Sequence, residues 1–563
     1  VTQPVRSHWL LHLALLLPAI FFFALHFVHL AADFPNFSRW MDWSKYTDEG
    51  WYGDAAIRFY QLGHWHLSGD FNPAVALPVW PLLEAILFRF TGVSLIAERA
   101  LTVSVFGAIL VTSWLLLASR NRSFVPRLRR GLIANKVGRL LSIFTAETLP
   151  ATVAVLFLAV NPFCFVFTRL GILEPLLVLN TLLALLVARR ARILQPIATP
   201  LQTLRANAGV IVALGILIPV IILTKTTGIF LIPAILWLLF ATLDYKPRHF
   251  LPVAIPAGAL ALALWLAYFL LLVRPHYIED YRYLFSANAY TGITRHNWFS
   301  VIGWTLHGVA WMGRTVALTA AAAVILSLLR VRHLRAYPLI PTLILWAAGY
   351  SAFLAYHNNL QPRYYLVIAV PLTLLIPVVC RDLIVPWLGT LVLQRIGATA
   401  AVLLAALILI PDARETLHFV RRPQYTFLNA ARQIAAYIRQ QHREDPAHSA
   451  LVLSISGSDL SLMTGIHSIC DDFGTAELAD RARQYNPGWD VTWNLLEDDK
   501  MDALTPAFHV QRIATFAAMD DQDRNQLILY RLDPAGQQPN RHKRPRRAHP
   551  RLGQQPSPLQ LGH

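Results

Sequence analysis

Cysteine, acidic residues and charge of either sign are all scarce in this chain. Only three of its 563 residues are cysteine. Cys164, Cys380 and Cys470 form no CxxC pair and share no Cys/His spacing, so neither a disulfide framework nor a zinc module follows from them. Charged residues make up 14% of the chain against 55% hydrophobic ones, and the mean hydropathy is +0.46. That balance excludes a soluble domain of ordinary composition. No Gly-rich phosphate loop is present, which removes the usual sign of a soluble nucleotide-sugar domain.

What the chain has instead is a succession of apolar runs, near residues 9–30, 99–118, 148–167, 170–187, 209–224, 228–243, 251–273, 315–329, 338–356, 364–379 and 397–411. Measured against a hydrocarbon core of roughly 30 Å, they predict an α-helical polytopic membrane protein with about eleven transmembrane helices. The opening run "WLLHLALLLPAIFFFALHFVHL" is longer than a signal-peptide core, has no small-residue cleavage site, and reads as an uncleaved anchor. Residues 1–412 are expected to form the membrane domain. Residues 418–533 are expected to form a small α/β domain. Within it "TFLNAARQIAAYIRQQ" has helical periodicity, "ALVLSISGS" reads as a buried strand ending in a turn, and "QLILYRL" as a later strand. Residues 534–563, rich in Pro, Gln and basic side chains, are expected to be disordered.

The formal charge of +17 says little about nucleic acid once its distribution is considered. The connections "SRNRSFVPRLRRGLIANKVGR", "ARRARILQPIATPLQTLR", "DYKPRHF" and "RVRHLRAY" are all net basic and all fall on one side of the membrane. Basic loops stay cytoplasmic, so the N-terminus is expected inside and the C-terminal domain outside. The first outer loop runs from about residue 31 to 98. Its segment "DAAIRFYQLGHWHL" reads as an amphipathic helix lying at the interface, and "PVWPLLEAILFRFTG" as a second. Counting the latter as a span would invert every later loop.

The outer face receives almost every unusual polar residue near a span end. Ionisable groups at membrane depth are costly and mark substrate paths. Asp48, with Glu49 and Asp54 in "YTDEGWYGDAAIRFY", is an exposed loop carboxylate that could act as a general base. Its alternatives are a solvated loop acid or a helix N-cap. Lys225, followed by Thr226, Thr227 and Gly228, is a compact cation where a lipid phosphate would lie, unless it is a snorkelling lysine. Arg169 and Arg363 complete three cations on one rim, and Glu174, five residues beyond Arg169, could pair with it or orient substrate. His276, Glu279, Asp280, His296 and His357 match no metal-ligand motif, and a divalent metal stays open.

Taken in order, "DEGWY", "NPAVALPVWPLLEAILFRFTG" with the Arg opening the next span, "NPFCFVFTRLGILEP", "ILTKTTGIFLIPAIL" and "QPRYYLVIAVPL" resemble the GT-C glycosyltransferases related to protein O-mannosyltransferases and lipid A aminoarabinose transferases. The resemblance covers roughly residues 10–380. It implies a membrane enzyme that takes a sugar from a polyprenyl-phosphate donor and transfers it, with inversion, to an extracytoplasmic glycolipid, glycan or protein. Carried over, Asp48 would be the catalytic base, Glu49 its neighbour supporting the loop or the acceptor, and Tyr52 the Tyr of the Asp-Glu-x-x-Tyr signature. Arg169 and Glu174 would match the Arg and acid between the third and fourth spans, Lys225 a lysine near the donor phosphate, and Arg363 with Tyr364 the late Arg-Tyr. The aminoarabinose transferases carry a Glu-Lys pair where this chain reads "AVALPVWP". The resemblance therefore implies no particular sugar.

Three other readings compete. A transporter or flippase of lipid-linked anions would show polar or broken spans and an internal repeat. A non-catalytic scaffold would use the outer domain to hold a partner. An oligosaccharyltransferase or O-antigen ligase would move a whole glycan.

Overall fold

The computed structural model describes residues 8–34, 38–65, 77–118, 145–193, 199–279, 281–282, 294–357, 360–471, 478–519, 521 and 524–535. The basic connection 119–144, Asp280, and the tail from residue 536 onward lie outside the described residues.

Five helices are long and apolar enough to cross a membrane: Leu95–Ala118, Pro247–His276, Leu339–His357, Pro362–Trp387 and the apolar part of Arg395–Glu444. Shorter apolar helices accompany them at Trp9–Leu25, Leu149–Val160, Leu173–Ala188, Ala208–Thr224, Thr226–Thr242 and Arg314–Leu329. The chain is an integral membrane protein. Its helices are apolar on every side, as helices surrounded by lipid and one another must be. Burial separates their roles. The apolar window of Pro362–Trp387 is 72% buried and forms the bundle's centre, whereas that of Pro247–His276 is 11% buried and faces outward. Pro371 and Pro377 sit inside the central helix, where neighbouring helices enclose the backbone groups they free.

The C-terminal part is a five-stranded mixed sheet. Its strands are β1 (Val452–Ser454), β2 (Ser468–Cys470), β3 (Trp489–Trp493), β4 (Phe508–Ala517) and β5 (Gln526–Pro534), in the order β2-β1-β3-β5-β4. The first three are parallel, and β5 joins antiparallel to both β3 and β4. The Thr426–Glu444 helix buries Phe427, Ala430, Ala431, Ile434 and Ile438, an apolar stripe at helical spacing, in the core it shares with Val452, Trp489 and Leu529 of the sheet. Asp33, just beyond the first helix, caps this one by accepting from the N–H groups of Phe427 at 2.9 Å and Leu428 at 3.2 Å.

The segment 54–67, expected as an amphipathic helix at the interface, falls mostly within a helix that begins earlier, Asp48–Leu62, and this helix is covered by the C-terminal domain and packs on the Gly457–Thr464 helix. Ser458 Oγ donates to Asp54 at 2.5 Å, Ser456 Oγ donates to the Tyr46 carbonyl at 2.7 Å, and Gln61 Nε2 donates to the Ile466 carbonyl at 3.1 Å. The physical reason is a face of small residues. A Cβ at Gly50 would stand 2.3 Å from the backbone nitrogen of Asp459, an approach that only glycine permits. First loop and C-terminal domain therefore share one side of the bundle.

Candidate active site

Asp48 opens the Asp48–Leu62 helix, and Thr47 holds the N-cap position without a side-chain cap bond. Asp48 is thus the first helical residue, and its carboxylate turns inward instead of capping. The solvated acid expected from sequence is 8% exposed. Its Oδ2 lies 2.7 Å from Arg363 Nη2, a charge contact that is not aligned as a hydrogen bond. Burial raises the Asp48 carboxyl, Arg363 pulls it back, and Asp42 and Glu174 push it up again, leaving it at about 6. Such a group is ionised at neutral pH yet basic enough to take a proton.

Arg363 sits in the short turn Pro362–Tyr365, which starts the central helix. Proline at the first position of that turn needs no N–H partner, so the turn forms where "QPRYY" ends an extended approach. Arg363 is fixed from its far side: its Nη1 pairs with Asp42, and its backbone N–H donates to Asp42 Oδ2 at 2.9 Å. Asp42 is held in turn by Ser44, whose N–H and hydroxyl donate to it at 2.9 and 2.8 Å.

Lys225 is the extended residue that ends Ala208–Thr224, with a 3₁₀ turn beginning at Thr226. Its ammonium pairs with Glu174 and lies 4.0 Å over the ring of Tyr364, while Arg363 stacks 4.8 Å over the same ring. The Tyr364 ring therefore meets both cations. Tyr52, one helical turn beyond Asp48, is buried beside Asp48, Arg363 and Tyr364. Asp48, Tyr52, Glu174, Lys225, Arg363 and Tyr364 are thus brought into one buried cluster at the junction of loop and bundle.

Two candidates stand apart. Glu49 turns away from Asp48 and receives Arg99 through both carboxylate oxygens, at 2.8 and 2.5 Å, together with the Gly171 N–H at 2.9 Å. That pairing makes it a clamp between the first loop, the Leu95–Ala118 helix and the "RLG" turn. Arg169 does not pair with Glu174. Its guanidinium donates to the carbonyls of Val28 and His29, both at 2.7 Å, and lies 4.5 Å over Phe165. Glu174 takes Lys225 because the helix Leu173–Ala188 begins between the two residues and points them in different directions. Of the histidines named from the sequence, His357 packs on Phe353 and Tyr364 while His276 lies beside Tyr277. Among the described residues no group of three His, Cys, Asp or Glu side chains could hold a metal ion.

Sequence reasoning missed Asp42, although an acid six residues before Asp48 in so acid-poor a chain was a readable signal. Arg99 is legible in the sequence as the Arg opening a span, but its partner Glu49 is not. Asp459 approaches this region from the C-terminal domain, where burial and neighbouring Glu49 raise its carboxyl and the Gly50 N–H lowers it. No local pattern could have placed it there.

No protein-family model matches the chain, and no curated protein matches it either. Among solved structures, ArnT from Cupriavidus metallidurans bound to undecaprenyl phosphate superposes with a TM-score of 0.58 at 14% identity, covering 93% of this chain and 98% of that one. The apo state of the same protein gives 0.56 at 14% identity, over 92% and 97%. The fold is shared across nearly the whole length of both chains. It is the fold that the sequence resemblance implied.

Proposed function

We propose that this chain is an integral membrane glycosyltransferase that takes a sugar from a polyprenyl-phosphate donor and transfers it to an extracytoplasmic glycolipid, cell-envelope glycan or protein. The observation that carries the reading is the juxtaposition of the buried Asp48 with Arg363 and Lys225. A base and two phosphate-seeking cations meet where an acceptor could meet a lipid-borne donor. The likeness of fold to a protein bound to undecaprenyl phosphate supports the donor class.

In this reading Asp48 accepts the proton of an acceptor hydroxyl or amine as that group attacks the anomeric carbon. The bond between that carbon and the phosphate oxygen breaks, and its electron pair leaves with the polyprenyl phosphate. Arg363 and Lys225 take up the phosphate charge as it develops, already desolvated and oriented, so no reorganisation is needed at that moment. Attack from the face opposite the leaving group gives inversion. Tyr364, whose ring both cations meet, helps hold them, and Glu174 holds the Lys225 ammonium in place. Tyr52 closes the wall beside Asp48. Arg169 supports the first-span end outside this cluster.

The chain is read as spanning a bacterial inner membrane about eleven times, with residues 1–412 as the membrane domain and residues 418–533 outside. The contact between the C-terminal domain and the first loop supports that placement, since both then share the outer face.

The test is transfer of label from a panel of radiolabelled prenyl-phosphate sugars to membrane lipids and proteins, with wild type and Asp48→Asn at matched expression. Transfer from one donor, lost in the variant by about a hundredfold or more, is expected for a general base. Transfer from no donor by a folded protein would overturn the reading in favour of a transporter or scaffold.

A further inference from the structure

Beside the Glu49–Arg99 clamp lies a cavity of about 400 Å³, lined among others by His29, Asp33, Phe165, Arg169, His418 and Arg422. It opens between the ends of the first and last membrane helices, where the Leu391–Arg421 helix gives way to the C-terminal domain. Its charges are unbalanced. Asp33 is the acid on its wall, and its oxygens are already used by Phe427 N–H, Leu428 N–H and the Thr426 hydroxyl. Arg99 on the same wall is satisfied by Glu49 and by backbone carbonyls. Arg169 and Arg422 have no ion-pair partner among the described residues. Arg169 is half-buried, and burial together with neighbouring Arg99 lowers it to about 9, with Tyr425 and Glu49 offsetting only part of that shift.

The rest of the cavity is aromatic and apolar: Phe34, Phe165, Val166 and Phe419 form the wall beneath the arginines. A basic rim over an apolar wall, at the level where membrane helices end, matches the two halves of an anionic lipid. The guanidinium fork suits phosphate oxygens, and the aromatic wall suits the first carbons of the attached chain.

We propose that this cavity binds a phosphate-bearing anionic headgroup, with Arg422 and Arg169 as its ligands. The site is separate from the sugar-transfer cluster and does not depend on that reading. Arg99 in its wall pairs with Glu49, so an occupant would brace the clamp that holds Glu49 and the start of the Asp48–Leu62 helix.

The experiment uses the full chain, purified and delipidated in a neutral detergent, with binding counted by native mass spectrometry. The probes are dioleoylphosphatidylglycerol, dioleoylphosphatidylcholine and inorganic phosphate. Wild type is expected to retain the glycerol lipid over the choline lipid, and Arg422→Gln to weaken that retention about tenfold, as losing one charge-assisted contact implies. Arg169→Gln should do the same, but it also frees two backbone carbonyls, so the exposed Arg422 carries the test. Arg89→Gln, an equal loss of charge on the exposed surface of the Val79–Thr91 helix, is the control and should change nothing. Displacement of the lipid by inorganic phosphate at equal concentration would support the anion site and assign free phosphate as its source. Equal retention of both lipids, or equal binding by Arg422→Gln and Arg89→Gln, would overturn the proposal.

Discussion

Arg363 stands between two aspartates, with Nη2 2.7 Å from Asp48 and Nη1 together with its own backbone N–H engaged by Asp42. One cation thus serves a carboxylate that is locked and another that is only touched. The touched one, Asp48, keeps a carboxyl near 6 because burial, helped by Asp42 and Glu174, outweighs Arg363 and Lys225. Transfer rate should therefore rise with pH through an acid limb centred near 6 and level off above it, as the base becomes ionised. A pH–rate profile of kcat/KM on the purified enzyme checks this, and a flat profile from pH 5 to 8 would remove Asp48 as the base. The linkage to stability has the opposite sense. A folded carboxyl raised above its unfolded value favours the fold fully at pH below about 4, and that contribution is lost as pH rises through about 6.

Replacing Asp42 tests how that balance is set. Asp42 raises the Asp48 carboxyl through its own negative charge, and it also holds Arg363 away from full engagement with Asp48. Asp42→Asn keeps the shape and removes the charge, so the acid limb should move down by about one pH unit. The rate at neutral pH should fall as well, since Arg363 is then drawn into a tighter pair with the base. A limb that moves upward would mean Asp42 does not act through Arg363.

Much of the fold was legible because hydrophobic length is a strong local signal. The runs near residues 99–118, 338–356 and 364–379 reappear as Leu95–Ala118, Leu339–His357 and part of Pro362–Trp387. Asp48, Lys225 and Arg363 could be singled out because an ionisable residue at a span end is conspicuous in so apolar a chain. Their partners could not. The Glu174–Lys225 pair joins residues 51 positions apart and the Arg363–Asp42 pair residues 321 apart, separations that carry no periodicity. The burial of Asp48 was missed for a related reason. Its loop is polar in sequence, and what covers it is a domain folded from residues some 400 positions later, as in the Gly50–Asp459 contact.

Glu49 and Asp48 are adjacent and should respond differently to substitution. Glu49 is 3% exposed and bound by Arg99 on two oxygens. Removing one partner strands the other charge in a dry interior, a loss of about 3–5 kcal/mol. Glu49→Ala is therefore expected to lower thermal stability and yield sharply, whereas Asp48→Asn removes a charge whose ionisation opposes folding and should leave the melting temperature unchanged or higher. Tm measurements on both variants in one detergent separate clamp from base; a Glu49 variant as stable as wild type would dissolve the distinction.

The last expectation concerns the seam between loop and C-terminal domain. Gly50 lies on the helix that carries Asp48, and its N–H donates to Asp459 Oδ1 at 3.3 Å. A methyl group at this position meets backbone on the other side, the Asp459 nitrogen and the Ser458 carbonyl carbon, and backbone cannot turn aside as a flexible side chain could. Gly50→Ala must therefore part the two surfaces, at a cost of about 1–3 kcal/mol. Since alanine favours helix over glycine by about 1 kcal/mol, the helix itself is not weakened, and any loss belongs to the seam. Faster proteolysis within residues 426–535, with the membrane helices still intact, is the expected result. If transfer also falls, correct placement of Asp48 depends on the domain that covers it; if proteolysis speeds up while transfer holds, that domain serves something other than the base.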